Sequence, residues 1–125
     1  MRFAVLLSAS IGLFSAASPV MAVSQRDRDD CNQSNDLSRR IEGCTRWLED
    51  KEESAANRAV AYNNRGLSYQ AKGDNDRALI DYNEAIRIDP KFPAAYFNRG
   101  AVYQAKGNND LASHDYSEGN RVEPK

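Results

Sequence analysis

Tyr69-Gln70-Ala71-Lys72-Gly73 returns unchanged as Tyr103-Gln104-Ala105-Lys106-Gly107, 34 residues later and inside a longer self-match. Laid over one another without a gap, Ala59–Lys91 and Pro93–Lys125 are identical at 19 of 33 positions. A fixed period of this length marks a repeat architecture, in which one supersecondary unit buries its apolar face only by stacking on the next. Tyr62, Gly66 and Tyr69 are spaced by four and then three, and Ala78, Tyr82 and Ala85 resume that spacing after a break at Lys72-Gly73-Asp74, so each copy reads as a helical hairpin. Gly73 and Gly107 suit the left-handed residue that ends a first helix, and Asp74 and Asn108 suit the cap of a second. Asp89-Pro90 stops that second helix, because the residue before a proline avoids the helical region, and Pro93 is suited to open the next.

Gly66 and Gly100 fall inside predicted helices, where glycine costs about 1 kcal/mol relative to alanine. A close helix crossing would offset that cost, with Ala78 or Ala112 approaching the bare backbone and Tyr69 and Tyr82 filling the space beside it. The pattern Tyr62-x3-Gly66-x2-Tyr69-x8-Ala78-x3-Tyr82-x2-Ala85-x4-Pro90 resembles the tetratricopeptide-repeat (TPR) signature. The C-terminal copy matches it at Tyr96, Gly100, Tyr103, Ala112, Tyr116 and Pro124, and departs at Gly119, where a small alanine is usual. The resemblance implies an all-α, TPR-type solenoid, and a protein–protein interaction module of the small secreted or periplasmic bacterial type.

Cys31 and Cys44 are 13 positions apart, as are Tyr69 and Tyr82, and Tyr103 and Tyr116. Sliding Cys31–Leu48 onto Tyr69–Ile86 brings Asn35 under Gly73, Asp36 under Asp74 and Arg39 under Arg77, which reveals a third, degenerate hairpin lacking the repeat's glycine and alanine. Its Asn35 is expected to take the left-handed helix end, and Glu52 and Glu53 to belong to a longer link before the next helix. Residues that replace paired tyrosines are expected to face each other, so in an oxidising compartment Cys31 and Cys44 bridge; a catalytic redox pair is the alternative, without a C-x-x-C motif. Against Leu79, Ile80 and Ile86, the last copy carries Ser113, His114 and Asn120, which reads as a self-capping polar end and a complete set of three hairpins. The expected divisions are a signal peptide at 1–22, a degenerate hairpin at 23–54 and repeats at 55–92 and 93–125.

Arg2, an apolar stretch from Phe3 to Phe14 and the close Pro19-Val20-Met21-Ala22 have the order of a cleavable secretory signal, and the stretch falls short of the ~20 residues a bilayer core requires. Cleavage after Ala22 predicts a protein exported across the inner membrane to the periplasm, with no membrane insertion afterwards. That mature chain has 16 basic and 18 acidic residues, interspersed, which argues against a nucleic-acid ligand. One histidine, no disposed nucleophile and base, no metal-spaced Cys/His set and no glycine-rich phosphate loop predict no enzyme, no cofactor and no metal.

Stacked hairpins of this kind curve, with the first helix of each lining the concave side. Asn63, Asn64, Leu67 and Gln70 of one unit, and Phe97, Asn98, Ala101 and Gln104 of the next, are the expected groove residues. The resemblance implies that Asn64 and Asn98 hold the main chain of an extended peptide, a task suited to a carboxamide that donates and accepts at once. Where some relatives place lysines and arginines to grip a C-terminal carboxylate, this chain has Gln25, Asn63 and Phe97. The partner expected is therefore a protein or peptide. The alternative is a structural subunit or assembly factor that docks through its convex or end surface and can self-associate; the sequence leaves the oligomeric state open.

Overall fold

The structure, a computed structural model, describes residues 24–125. The expected signal segment lies outside the described residues. Six helices follow in order: α1 (Gln25–Gln33), α2 (Leu37–Glu49), α3 (Ala55–Ala71), α4 (Asn75–Ile88), α5 (Pro93–Ala105) and α6 (Asn109–Val122). Consecutive pairs form three hairpins, and no strand occurs among the described residues. The first helices touch along the stack, α1 on α3 and α3 on α5, whereas α2 does not reach α4 and α4 does not reach α6. First helices packed together behind splayed second helices bend the stack, with α1, α3 and α5 on its inner side.

The turns behave as the sequence predicts. Gly73 and Gly107 both sit at φ +80°. The Gly73 N–H donates to the Gln70 carbonyl and the Asp74 N–H to that of Tyr69, both at 2.9 Å, so the stray carbonyls of α3 are satisfied by a Schellman motif. Asp74 and Asn108 then accept the Arg77 and Leu111 N–H groups, capping α4 and α6. Pro93 stands at the first turn of α5, where its missing N–H leaves no helical bond unmade. The first hairpin departs from the pattern: α1 ends at Gln33, Ser34 turns extended, and Asn35 does not adopt a positive φ. Ser34 Oγ accepts the Asp36 N–H, and Asp36 caps α2 through the Arg39 N–H, so a serine turn does the work expected of a left-handed asparagine.

The interior is made from small and aromatic side chains. Cys31 and Cys44 are bridged and fully buried with Trp47 and Ala61, and Ala78, Tyr82 and Val102 form a second cluster joining the two full repeats. The clearance at Gly66 and Gly100 is real but is filled by a ring. A Cβ on Gly66 would lie 2.7 Å from Tyr82 Cε1, and one on Gly100 would lie 2.8 Å from Tyr116 Cε1 and 3.3 Å from the Ala112 carbonyl, so the second-helix tyrosine presses directly on the bare backbone and, at Gly100, the helix itself approaches at Ala112. The first hairpin has a glycine of its own, contrary to expectation. Gly43 is buried on α2, and a Cβ there would come within 2.7 Å of Asp30 Cβ and 2.8 Å of the Asp27 carbonyl, so α1 and α2 meet backbone to backbone beside the disulfide.

Ties between hairpins repeat as well. Lys72 Nζ donates to Ser38 Oγ and Lys106 Nζ to Asp76, each at 2.7 Å, so the lysine of the duplicated pentapeptide reaches back to the preceding second helix. Between α2 and α3 the Glu53 carboxylate accepts from the Trp47 indole at 2.7 Å, from Asn57 at 2.6 Å and from Arg28 at 2.8 Å, which orders the longer link. In the last hairpin Ser113, His114 and Asn120 are exposed. Ile80 is itself 63% exposed, however, so its exchange for His114 does not mark a face that stacking would bury.

Candidate functional site

The inner side of the stack is a line of carboxamides. Asn32, near the end of α1, accepts from Asn64 Nδ2 on α3 at 2.9 Å, and Asn63 on α3 accepts from Asn98 Nδ2 on α5, also at 2.9 Å. Helices α1, α3 and α5 are thus joined by side-chain amides as well as by packing. Each of Asn64 and Asn98 spends one of two N–H donors in this way and keeps its carbonyl oxygen. Both are half-buried, so the remaining groups border solvent.

The expected groove residues divide by what they touch. Asn63 is buried and serves as the acceptor for Asn98, so it supports the wall and does not face outward. Gln70 and Gln104 accept the hydroxyls of Tyr82 at 2.7 Å and Tyr116 at 2.8 Å, which satisfies the tyrosines that fill the glycine clearances. Burial pushes the Tyr82 phenol well above its ordinary range, so that hydroxyl remains a donor. Leu67 leans on the second cluster, and Ala101 is half-buried. Phe97 departs from the expected role: a Cβ on Gly119 would lie 2.9 Å from its Cε1 and Cζ, so its ring turns into the last hairpin against that glycine. Phe97 replaces Asn63 and Gly119 replaces Ala85 of the preceding repeat, so the large ring occupies the space that the missing methyl vacates.

Arg65 and Arg99 are held away from any ligand. Arg65 Nε and Nη2 meet both oxygens of Asp81 at 2.8 Å, and Arg99 meets Asp115 in the same fork at 2.8 and 2.7 Å. Their third donors reach the preceding hairpin, at Thr45 Oγ1 (3.1 Å) and Asn83 Oδ1 (2.9 Å). Each guanidinium lies over two tyrosine rings, Tyr62 and Tyr69 for Arg65, Tyr96 and Tyr103 for Arg99. The bonds to Asp81 and Asp115 hold both arginines charged, with their pKa raised. Only the structure identifies the buried partners of these arginines as Asp81 and Asp115. The available signal was their presence in both copies, 16 residues beyond each arginine. Asn32 was overlooked, because the first hairpin aligns with the repeats only loosely.

Family comparisons agree with this geometry. A TPR-repeat profile matches residues 66–107, and a tetratricopeptide-repeat profile matches 93–125. The chain has the tetratricopeptide-repeat fold. A crystal structure of MamA is 27% identical with a TM-score of 0.63, over 70% of this chain and 49% of that one, so the chain spans about half the length of that relative. The second TPR of Spaghetti (RPAP3), bound to the HSP90 peptide SRMEEVD, is 26% identical with a TM-score of 0.62, over 70% of this chain and 72% of that one. No curated protein sequence matches. Among the described residues, no helix is long and apolar enough to cross a membrane, and no group of three or more His, Cys, Asp or Glu side chains could hold a metal ion.

Proposed function

We propose that this TPR protein is a non-catalytic adaptor that takes an extended segment of a partner protein along α1, α3 and α5. The observation that carries the reading is the amide line, Asn32 to Asn64 and Asn63 to Asn98, which leaves paired donor and acceptor groups at the edge of the inner face. A carboxamide with one donor and one acceptor spare can pair with a peptide unit whatever side chain that unit carries. The peptide-bound RPAP3 repeat, with the same fold, supports the assignment. Export to an oxidising compartment such as the periplasm belongs to the same proposal, supported by the Cys31–Cys44 bridge and by the signal-like order of residues 1–22.

The test is capture of partners by the oxidised protein, wild type against a variant with Asn64→Ala and Ala101→Arg. Capture is expected to fall more than tenfold while the melting temperature is kept. Survival of capture would sink the groove reading and favour docking through the outer helices, where Ile80 and Leu111 are the exposed large apolar side chains among the described residues.

A further inference from the structure

The cations on the wall formed by α3 and α5 are already engaged within the protein. Across Ala55–Ala71 and Pro93–Ala105 there is no Asp, Glu or Lys, and the charged residues are three arginines, Arg58, Arg65 and Arg99. All three are consumed inside the protein. Arg58 Nη1 donates to the carbonyls of Leu48 at 3.0 Å and Asp50 at 3.1 Å, and Arg65 and Arg99 are forked onto Asp81 and Asp115. The side chains of Arg65 and Arg99 are only 19% and 18% exposed, and their carboxylate partners 2%. Removing either arginine from its aspartate to greet a ligand would strand a buried charge. What the wall offers a partner is amide chemistry.

We propose, resting on the groove reading above, that the α3–α5 part of the groove binds an internal, main-chain stretch of its partner and is indifferent there to a terminal carboxylate or to acidic side chains. Neutral amides contribute hydrogen bonds but no opposite charge, so a carboxylate laid against them loses hydration without an ion pair to offset it. Binding of this kind is set by the number of peptide units engaged and is little screened by salt. The peptide held by the RPAP3 repeat, SRMEEVD, is rich in carboxylates, whereas the two central arginines of this wall, Arg65 and Arg99, are already forked onto Asp81 and Asp115 and Arg58 is tied to main-chain carbonyls.

The experiment uses the oxidised protein and bead-bound random peptides in two chemical forms, one ending in a free carboxylate and one in a carboxamide, with SRMEEVD as a separate acidic probe. The selected peptides are expected to bind equally, within about twofold, in both forms, and to weaken by less than about threefold from low to physiological salt. A loss of more than tenfold on amidation, or tight, salt-sensitive capture of SRMEEVD, would overturn the inference and leave the groove reading standing. Enrichment of no peptide in either form would remove the groove reading itself, and this inference with it.

Discussion

Breaking the Cys31–Cys44 bond is expected to release α1 while α3 to α6 stay folded. Helix α1 has nine residues, Gln-Arg-Asp-Arg-Asp-Asp-Cys-Asn-Gln, with Cys31 as its one apolar side chain, and a helix so short is marginal by itself. Its other attachments are polar: the ion pairs Asp27 to Arg46, Asp30 to Arg39 at 2.9 Å and Glu53 to Arg28 at 2.8 Å, the Asn32–Asn64 amide bond, and hydrogen bonds from Arg40 to the Cys31 and Asn32 carbonyls. The three arginines are 39%, 50% and 37% exposed, so each pair is worth about 1 kcal/mol or less. Closing a loop across a sequence separation of 13 contributes about 3 kcal/mol in the chain-entropy account, so the covalent bond outweighs any single pair. A loss of about 3 kcal/mol corresponds to roughly a hundredfold change in the opening equilibrium. Amide hydrogen exchange on wild type and on the double variant Cys31→Ala with Cys44→Ala reads this directly. Exchange along α1 is expected to quicken by about two orders of magnitude, with protection in α4 to α6 unchanged. Equal protection of α1 in both proteins would refute the reasoning, as would loss of protection throughout the chain.

Gly66→Leu is expected to cost about 1–3 kcal/mol, seen as a lower melting temperature, because even the first added carbon meets the Tyr82 ring. Gly119→Ala is expected to destabilise the wild type yet be tolerated beside Phe97→Asn, which restores the Asn63 and Ala85 pairing of the preceding repeat; additive effects in a double-mutant cycle would refute the coupling. Asp81→Asn is expected to cost about 3 kcal/mol or more by denaturant unfolding, since it leaves the Arg65 charge inside with half its fork unpaired. Hydrogen bonds from Asn57 and then from the Trp47 indole hold the Glu53 carboxyl down at about 2, from 4.5. Because the folded value is the depressed one, this contribution is complete above about pH 4.5 and is lost as pH falls towards 2. The melting-temperature gap between wild type and Glu53→Gln is accordingly expected to be widest near neutrality and to shrink through that window.

Much of the architecture was legible because it depends on features local in sequence. The duplicated pentapeptide gave the period, Gly73 and Gly107 the turns, Asp74 and Asn108 the caps, and the matching 13-residue separations the disulfide, since a repeat places equivalent positions in equivalent surroundings. Only the tertiary structure decided which atoms meet between helices. It placed the Tyr82 ring over Gly66, turned Phe97 onto Gly119, buried Asn63 behind Asn98 and closed Arg65 and Arg99 onto Asp81 and Asp115. Helical periodicity tells which side of a helix a residue occupies. Whether that residue then faces solvent, a neighbour's ring or a buried charge depends on the volume and polarity of groups on other helices, and packing settles all of these at once.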